Sequence, residues 1–272
     1  MPELPEVETL VLELRSQLEG AEISGVEIRN ESILNTPRKW IERNARGKKI
    51  IHIGRRGKFI QLHLSENFSL WFHLGMTGQL LLEEPAPSLK SHTHFLISFT
   101  RSDKRLIYRD VRRFGRIAFT PHEGVTTPRG VSRLGPEPQE WNSGEFVSLL
   151  KERRGRIKGL LLNQSVVAGL GNIYVDESLY RAGIHPRRRA NEISRKKLVR
   201  LHASMCEVLE EAIRQGGSSI DDYLHLDGGK GKFQRFHRVY GRAGEACSAC
   251  GAQVRRIVLS GRGSSYCPQC QR

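Results

Sequence analysis

The chain has 272 residues, 38% of them hydrophobic and 27% charged, which gives enough apolar material for packed cores and excludes a polar, disordered chain. No run approaches the roughly 18 consecutive apolar residues of a membrane helix, and the acidic start MPELPEVETL has no apolar signal core, so a cytoplasmic protein is expected. The formal charge of +15 is lopsided: residues 1–150 carry 21 basic and 18 acidic side chains, residues 151–272 carry 23 and 11, and a basic half of this kind points to a polyanion, most simply nucleic acid.

In chain order, Val7, Leu10, Val11, Leu14 and Leu18 repeat at helical spacing and Gly20 stops them, which predicts a short amphipathic helix. From about residue 21 to 120 the pattern becomes that of strands. KKIIHIG, GKFIQLHL, FSLWFHL, THFLISFT and RLIYRD are separated by Gly-, Asn- or Asp-containing turns and predict an antiparallel sandwich or barrel-like domain. Residues 121–140, rich in Pro and Gly, read as a linker. Beyond them Leu198, Leu201, Met205, Val208, Leu209, Ala212 and Ile213 form one helical stripe, with Ser194 as its N-cap and Gly216 as its stop. Cys206 lies among these apolar positions and is expected to be a buried, inert thiol. A polar, glycine-rich loop and a cysteine module follow, so the expected class is α+β with several domains: 1–133, 134–234 and 235–272.

Cys247, Cys250, Cys267 and Cys270 read C-x2-C, sixteen residues, C-x2-C. Close pairs let each turn offer two thiolates to one tetrahedral ion while the intervening residues make a hairpin, as in a four-cysteine zinc ribbon. Two disulfides are the alternative, and they need an oxidising compartment of which the N-terminus gives no sign.

Two further segments carry chemistry with a simpler reading beside it. If Met1 is removed, Pro2 presents a secondary amine that titrates near the ~7.7–8.0 of α-amino groups and can attack an anomeric carbon. Glu3 and Glu6 are its acid/base neighbours. On the residues alone, helix initiation by Pro5, Glu6 and Glu8 accounts for the same stretch more simply. GLGNIYVDESLYRAGIHP (169–186) reads as a glycine turn into a helix with Asn172 at the N-cap and Gly183 as the stop. Asn172 there is either a plain cap or part of a phosphate-binding helix N-terminus.

Taken together, MPELPEVET, RRGKF (55–59), HLGMTG (73–78), DVRRFG (110–115), LGPEP (134–138), IKGLLLNQ (157–164), residues 169–186, VYGRAGEAC (239–247) and GRGSSYCPQC (261–270) resemble the bacterial formamidopyrimidine-DNA glycosylases along essentially the whole chain. The resemblance implies an N-terminal β-sandwich with its helix, a helix–two-turn–helix domain with a lesion-capping loop, and a C-terminal zinc-ribbon hairpin. It implies a bifunctional glycosylase and AP lyase acting on 8-oxoguanine and formamidopyrimidines in duplex DNA, a monomer with one structural Zn2+. Pro2 then matches the nucleophile, Glu3 the catalytic acid and Glu6 a supporting carboxylate. Lys58 and Arg262 match catalytic-site residues that hold phosphates beside the lesion. His92, Arg113, Lys158, Asn172 and Tyr240 match contacts to the DNA. Met76, Arg112 and Phe114 match the residues that fill the gap left by an everted base, which costs a few kcal/mol to extrude; without the match, Met76 and Phe114 read as core.

Departures from the pattern are Asn163 for the usual acid, Ser91-His92-Thr93-His94 for the usual KHDH run, and Asp221, Lys230 and Lys232 in the capping loop. Two rivals remain: an endonuclease VIII-like enzyme for oxidised pyrimidines, disfavoured by the ELPEVE start, and a non-catalytic zinc-ribbon DNA-binding protein.

Overall fold

The computed structural model describes residues 1–121, 128 and 130–272, so most of the front of the expected linker lies outside the described residues. The chain packs as two compact units, residues 1–132 with 215–232, and residues 133–214 with 233–272.

The first unit opens with α1 (Leu4–Leu18), whose Val7, Leu10, Val11, Leu14 and Leu18 are buried as the spacing predicts; Gly20 follows with a positive φ of 87°. Strands β1 (Ile23–Ile28), β2 (Ile50–Arg56), β3 (Phe59–Leu64), β4 (Phe68–His73), β5 (Gly78–Glu83), β6 (Thr93–Phe99), β7 (Arg105–Asp110) and β8 (Arg116–Pro121) form two four-stranded antiparallel sheets, ordered β1-β6-β7-β5 and β2-β3-β4-β8. Both sheets feed one core. Ile28, Phe95 and Tyr108 meet Ile53, Ile60, Phe72 and Ile117 there, under the stripe of α1. A short helix α2 (Arg38–Ala45) interrupts the strands. Strand periodicity missed it because eight residues with two buried side chains carry too little helical signal, although Pro37 marks its start.

The segment after residue 214 returns to this first unit. Tyr223 and Leu226 join its core, and the Leu82 N–H donates to the Leu226 carbonyl at 2.8 Å.

The second unit holds α3 (Ser143–Lys151), α4 (Ile157–Leu162), α5 (Asn172–Ala182), α6 (Arg195–Arg214) and the hairpin β9 (Arg255–Leu259)–β10 (Arg262–Tyr266). The six α6 stripe residues from Leu198 to Ala212 are buried, while Ile213 at the end of the stripe is only half-buried. Each large buried side chain contributes roughly 1.5–3 kcal/mol. Cys206 is half-buried rather than core, and desolvation holds its thiol pKa above the ordinary value. Among the described residues no helix is long and apolar enough to cross a membrane.

Candidate active site and nucleic-acid interface

In the first unit Pro2, Glu3 and Glu6 are all buried beside the exposed Met1. Glu3 is the N-cap of α1, and the Glu6 carboxylate works in two directions. One oxygen accepts the Glu3 N–H at 2.7 Å, and the other accepts the Ser218 N–H at 2.8 Å. Glu6 thus ties the first turn of α1 to the glycine-rich loop. Gly217, at φ 76°, has no room for a side chain, since a Cβ there would stand 2.9 Å from Glu6 Cγ.

Lys58 sits with Gly57 in the two-residue turn of the β2–β3 hairpin, where Arg56 pairs with Phe59. Arg55 on that hairpin donates to Glu8 at 2.6 Å and to the Gly57 carbonyl at 2.9 Å, fixing the turn against the start of α1. The Lys58 side chain is buried. Burial, with the charges of Lys58 and Arg116, holds His73 neutral with its pKa lowered to about 4. The His73 Nδ1 accepts the Gly75 N–H at 3.3 Å and its ring lies 4.6 Å from that of Phe59.

Met76, Arg112 and Phe114 come together on the surface of this unit. Met76 and Phe114 are 41% and 50% exposed, so the core alternative is excluded for both. The Arg112 guanidinium lies 4.7 Å from the Phe114 ring centroid and donates to the Met76 sulfur at 3.4 Å. Sequence reasoning passed over the group that makes this possible, Asp110. It is fully buried and accepts from Thr77 Oγ1, Tyr108 Oη (3.1 Å), the Arg112 N–H (3.2 Å) and the Gly115 N–H (2.8 Å). Burial works to raise its pKa, and the donated hydrogen bonds together outweigh that and leave it below the usual carboxylate value. One carboxylate therefore locks both loops that carry the exposed trio. Gly115 is required by close approach, because a Cβ there would fall 1.6 Å from Tyr108 Oη. Arg113, and His92, whose carbonyl accepts the Asp110 N–H at 3.1 Å, are exposed, each at a positive φ (57° and 62°).

The glycine-rich loop is pinned as well as tied to Glu6. Glu13 of α1 meets His225 Nδ1 at 2.6 Å and accepts the Leu226 N–H at 2.8 Å, while Gln79 donates to the Asp222 carbonyl at 2.7 Å. Asp221 and Lys230 are exposed on it.

In the second unit the cap of α5 is Gly171, and Asn172 is the first helical residue rather than the N-cap expected of it. Extended φ/ψ at Gly171 leaves the Asn172 side chain free to reach across, and its Nδ2 donates to the Gly263 carbonyl at 2.9 Å. That carbonyl follows Arg262, which is exposed at the start of β10. Asn163, the departure from the usual acid, accepts the Ser165 N–H at 3.0 Å and Ser165 Oγ at 2.8 Å, so an amide oxygen suffices for the turn.

Lys158 corrects the sequence reading: it is fully buried, its ammonium 2.7 Å from Asp176 and 3.1 Å from the Gly263 carbonyl. A lysine enclosed in this way has no surface to offer DNA; it positions the residue beside Arg262. Asp176 also accepts from Ser264 Oγ (2.9 Å) and the Ser265 N–H (2.8 Å). Its neighbour Glu177 accepts three successive N–H groups, of Arg238, Val239 and Tyr240, at 2.9, 3.0 and 2.8 Å. The two acids of α5 thus seat both ends of the ribbon, and the only sequence sign of it is an acid pair on a helix otherwise buried on that face. Tyr240 is half-buried next to this anchor.

The four cysteine sulfurs lie within 4.8 Å of one another, with Cys247–Cys270 at 3.9 Å and Cys250–Cys267 at 3.4 Å. These separations are far beyond a ~2.05 Å disulfide. They suit four thiolates on one ion, since sulfurs ~2.3 Å from a tetrahedral zinc stand about 3.8 Å apart. Tyr180 of α5 donates to or accepts from Cys247 at 3.3 Å and packs in the ribbon's small core.

Comparison with known proteins agrees with this geometry. Residues 1–117 match the formamidopyrimidine-DNA glycosylase N-terminal domain, 134–223 the formamidopyrimidine-DNA glycosylase H2TH domain, and 244–272 the zinc finger found in FPG and IleRS. A formamidopyrimidine-DNA glycosylase of Solibacter usitatus is 45% identical over all of both chains. A mutant Lactococcus lactis FPG in complex with Fapy-dG containing DNA superposes with a TM-score of 0.93 at 38% identity, covering 100% of both chains. The wild-type Lactococcus lactis protein with an oxidized pyrimidine containing DNA gives 0.92 at the same identity, again covering 100% of both chains.

Proposed function

Because the chain belongs to the formamidopyrimidine-DNA glycosylase family, we propose that it excises oxidised purines, 8-oxoguanine and formamidopyrimidines, from duplex DNA and then cuts the strand as an AP lyase. The observation that carries the reading is the anchored first turn: Glu3 at the cap, and Glu6 bridging the Glu3 and Ser218 N–H groups beside Pro2.

The reaction follows from these groups. Once Met1 is removed, the Pro2 nitrogen lone pair attacks C1′ and the glycosidic bond breaks, the departing base taking the electron pair and the proton that the Pro2 nitrogen sheds. Glu3 supplies a proton to O4′ as the ring opens, leaving a Pro2–C1′ iminium. The iminium acidifies the C2′ proton, so β-elimination expels the 3′ phosphate and δ-elimination the 5′ phosphate. Water then releases the sugar fragment and regenerates the amine. Lys58, Asn172 and Arg262 hold phosphates around the lesion, with His92, Arg113 and Tyr240 as further backbone contacts, all fixing register without reading sequence. Met76, Arg112 and Phe114 occupy the vacated space in the duplex. One zinc on Cys247, Cys250, Cys267 and Cys270 is structural: it holds the ribbon hairpin that carries Arg262 and takes no part in the chemistry. Residues 1–133 are assigned to catalysis, 134–234 to DNA binding with lesion capping, although 215–232 of these pack with the first unit, and 235–272 to phosphate contact, in a cytoplasmic monomer.

Borohydride trapping on a lesion-bearing duplex tests the proposal. The mature parent chain is expected to give a covalent adduct and the Pro2→Gly variant none; equal trapping by both would refute the nucleophile. The lesion panel includes thymine glycol, since the Lactococcus relative is seen with an oxidized pyrimidine. Faster excision of thymine glycol than of 8-oxoguanine would favour the pyrimidine branch.

A further inference from the structure

We infer that the outer face of the β2-β3-β4-β8 sheet carries a two-histidine site, His52 and His63 across a notch at Gly54, that takes an exchangeable divalent transition-metal ion of the imidazole-preferring kind (Ni2+, Cu2+ or Zn2+). The ion is separate from that of the four-cysteine ribbon and takes no part in the proposed DNA chemistry.

A β-bulge makes the pair. Ile50 pairs with Leu64, so an unbroken register would set Ile51 against His63 and His52 against Leu62. The shift between Ile50 and His52 instead sets His52 directly opposite His63. Ile51 is the extra residue and is 61% exposed. Ile53 and Leu62, the next registered pair, point into the core, so the two histidines point outward. Their ring centroids are 5.7 Å apart, with the planes 31° from parallel. His52 is exposed and His63 half-buried.

Gly54 lies two residues along β2 on the same face and leaves a gap beside the rings. The atoms nearest to the place of a Cβ there are His63 Nε2 at 3.6 Å and His52 Nε2 at 3.8 Å; the third is a carbon of His52 at 3.9 Å. Two nitrogens able to coordinate thus converge on one open spot. A metal–imidazole bond is about 2.0–2.1 Å long, so each nitrogen has to close on that spot by roughly 1.5–2 Å. Rotations of about 20–30° supply this within the width of a rotamer well.

Each histidine already has a partner for its other ring nitrogen. Glu19, the C-cap of α1, accepts from His52 Nδ1 at 3.0 Å and from the Ile53 N–H at 2.9 Å through the same oxygen. That bond puts the proton on Nδ1 and the lone pair on Nε2, the arrangement by which carboxylates orient metal-binding imidazoles. Gln61 Nε2 lies 3.4 Å from His63 Nδ1 and donates to Ser69 Oγ at 2.9 Å. With its amide turned over, Gln61 Oε1 accepts from both the His63 Nδ1–H and the Ser69 hydroxyl, and His63 is oriented as His52 is.

Two neutral imidazoles select borderline divalent ions over Mg2+ and Ca2+, which prefer oxygen. The remaining positions fall to water, so the ion exchanges readily, unlike one enclosed by four protein ligands. The His52–His63 pair is four registered pairs from Arg56–Phe59 at the turn of Lys58, roughly 13 Å at ~3.3 Å per residue. An ion there ties β2 to β3 and stabilises the first unit without reaching Lys58.

The test titrates untagged protein, its ribbon zinc in place, with Ni2+, followed by calorimetry and by 1H–15N NMR. The parent is expected to take up a single further equivalent, with paramagnetic broadening confined to amides around His52, Gly54, Gln61 and His63. Its urea midpoint should rise with added Ni2+. His52→Gln and His63→Gln should each abolish that equivalent, and Glu19→Gln should weaken it about 10–100-fold. Gly54→Ala keeps both imidazoles, meets no positive φ and fills the notch, so it should lose the ion as well. The NMR spectra of these variants report that they fold, and their excision without added Ni2+ should stay within twofold of the parent's. No uptake beyond the ribbon's zinc, or broadening centred on other histidines, overturns the site. Uptake merely halved by each histidine variant overturns it in favour of two independent surface imidazoles, and parental affinity in the Gly54→Ala chain overturns the notch as the place of the ion.

Discussion

Asp110 shows how one side chain can govern residues that never touch it through their own side-chain chemistry. It satisfies the backbone of Arg112 and Gly115 and the hydroxyls of Thr77 and Tyr108, so the exposed Met76–Arg112–Phe114 trio rests on a buried anion. Asp110→Asn keeps the shape but turns acceptor oxygen into donor nitrogen. It is expected to cost about 1–3 kcal/mol in urea denaturation and to lower excision while leaving affinity for undamaged duplex near that of the parent. Since the folded pKa of Asp110 lies below its unfolded value, its contribution is complete above about pH 4 and fades as pH falls through the folded pKa, so parent and variant converge in acid. His73 works in the same direction. Its folded pKa is about 4 against an ordinary 6.5, so between these values the unfolded chain takes up a proton that the folded chain refuses. His73→Gln should flatten the loss of stability across that window, by up to about 3 kcal/mol at its acid end; a urea midpoint that falls as steeply as the parent's would contradict the assignment. Asp110 stands in plain view within DVRRFG, but its burial and its four donors exist only once β5 and β7 are paired.

On the scale of elements, α5 is the frame on which the ribbon is mounted. Lys158 and Asp176 form a buried ion pair, and breaking such a pair costs about 3–5 kcal/mol because the survivor is left uncompensated. Lys158→Met should therefore destabilise the second unit strongly. Lys158→Met with Asp176→Leu should recover much of that loss, as a double-mutant cycle in guanidinium would reveal. The ribbon itself is small, its core being Val239, Val254 and the cysteines with Tyr180 against them, so it depends on metal. Chelation or Cys267→Ala should abolish stoichiometric zinc binding and lower duplex affinity, with atomic absorption and anisotropy as the readouts. Period and spacing made α1, the long α6 stripe and the four-cysteine set legible from the chain alone. Short α2 was not, and neither was the shift of the α5 cap from Asn172 to Gly171, since one-residue boundaries depend on φ/ψ rather than composition. Lys158 was misread for a related reason: a basic residue in a basic region looks exposed until Asp176 is brought beside it.

At the scale of the whole molecule the uneven charge governs association. Duplex affinity should fall log-linearly with salt, and Arg262→Ala should weaken binding alike for all sequences and reduce the slope by about 1. The charge asymmetry was visible at once, and the order of the motifs foretold both the sandwich and the ribbon. What linear order concealed is that the loop after residue 214 completes the first unit. The Glu6–Ser218 link and the burial of Tyr223 and Leu226 span an 82-residue excursion, residues 133–214, that belongs to the other unit. During synthesis, at about 5–20 residues per second, the sandwich must therefore wait some seconds, with part of its apolar interior uncovered, before the ribosome delivers the piece that closes it. The first turn of α1, the first part made, is among the last to be secured.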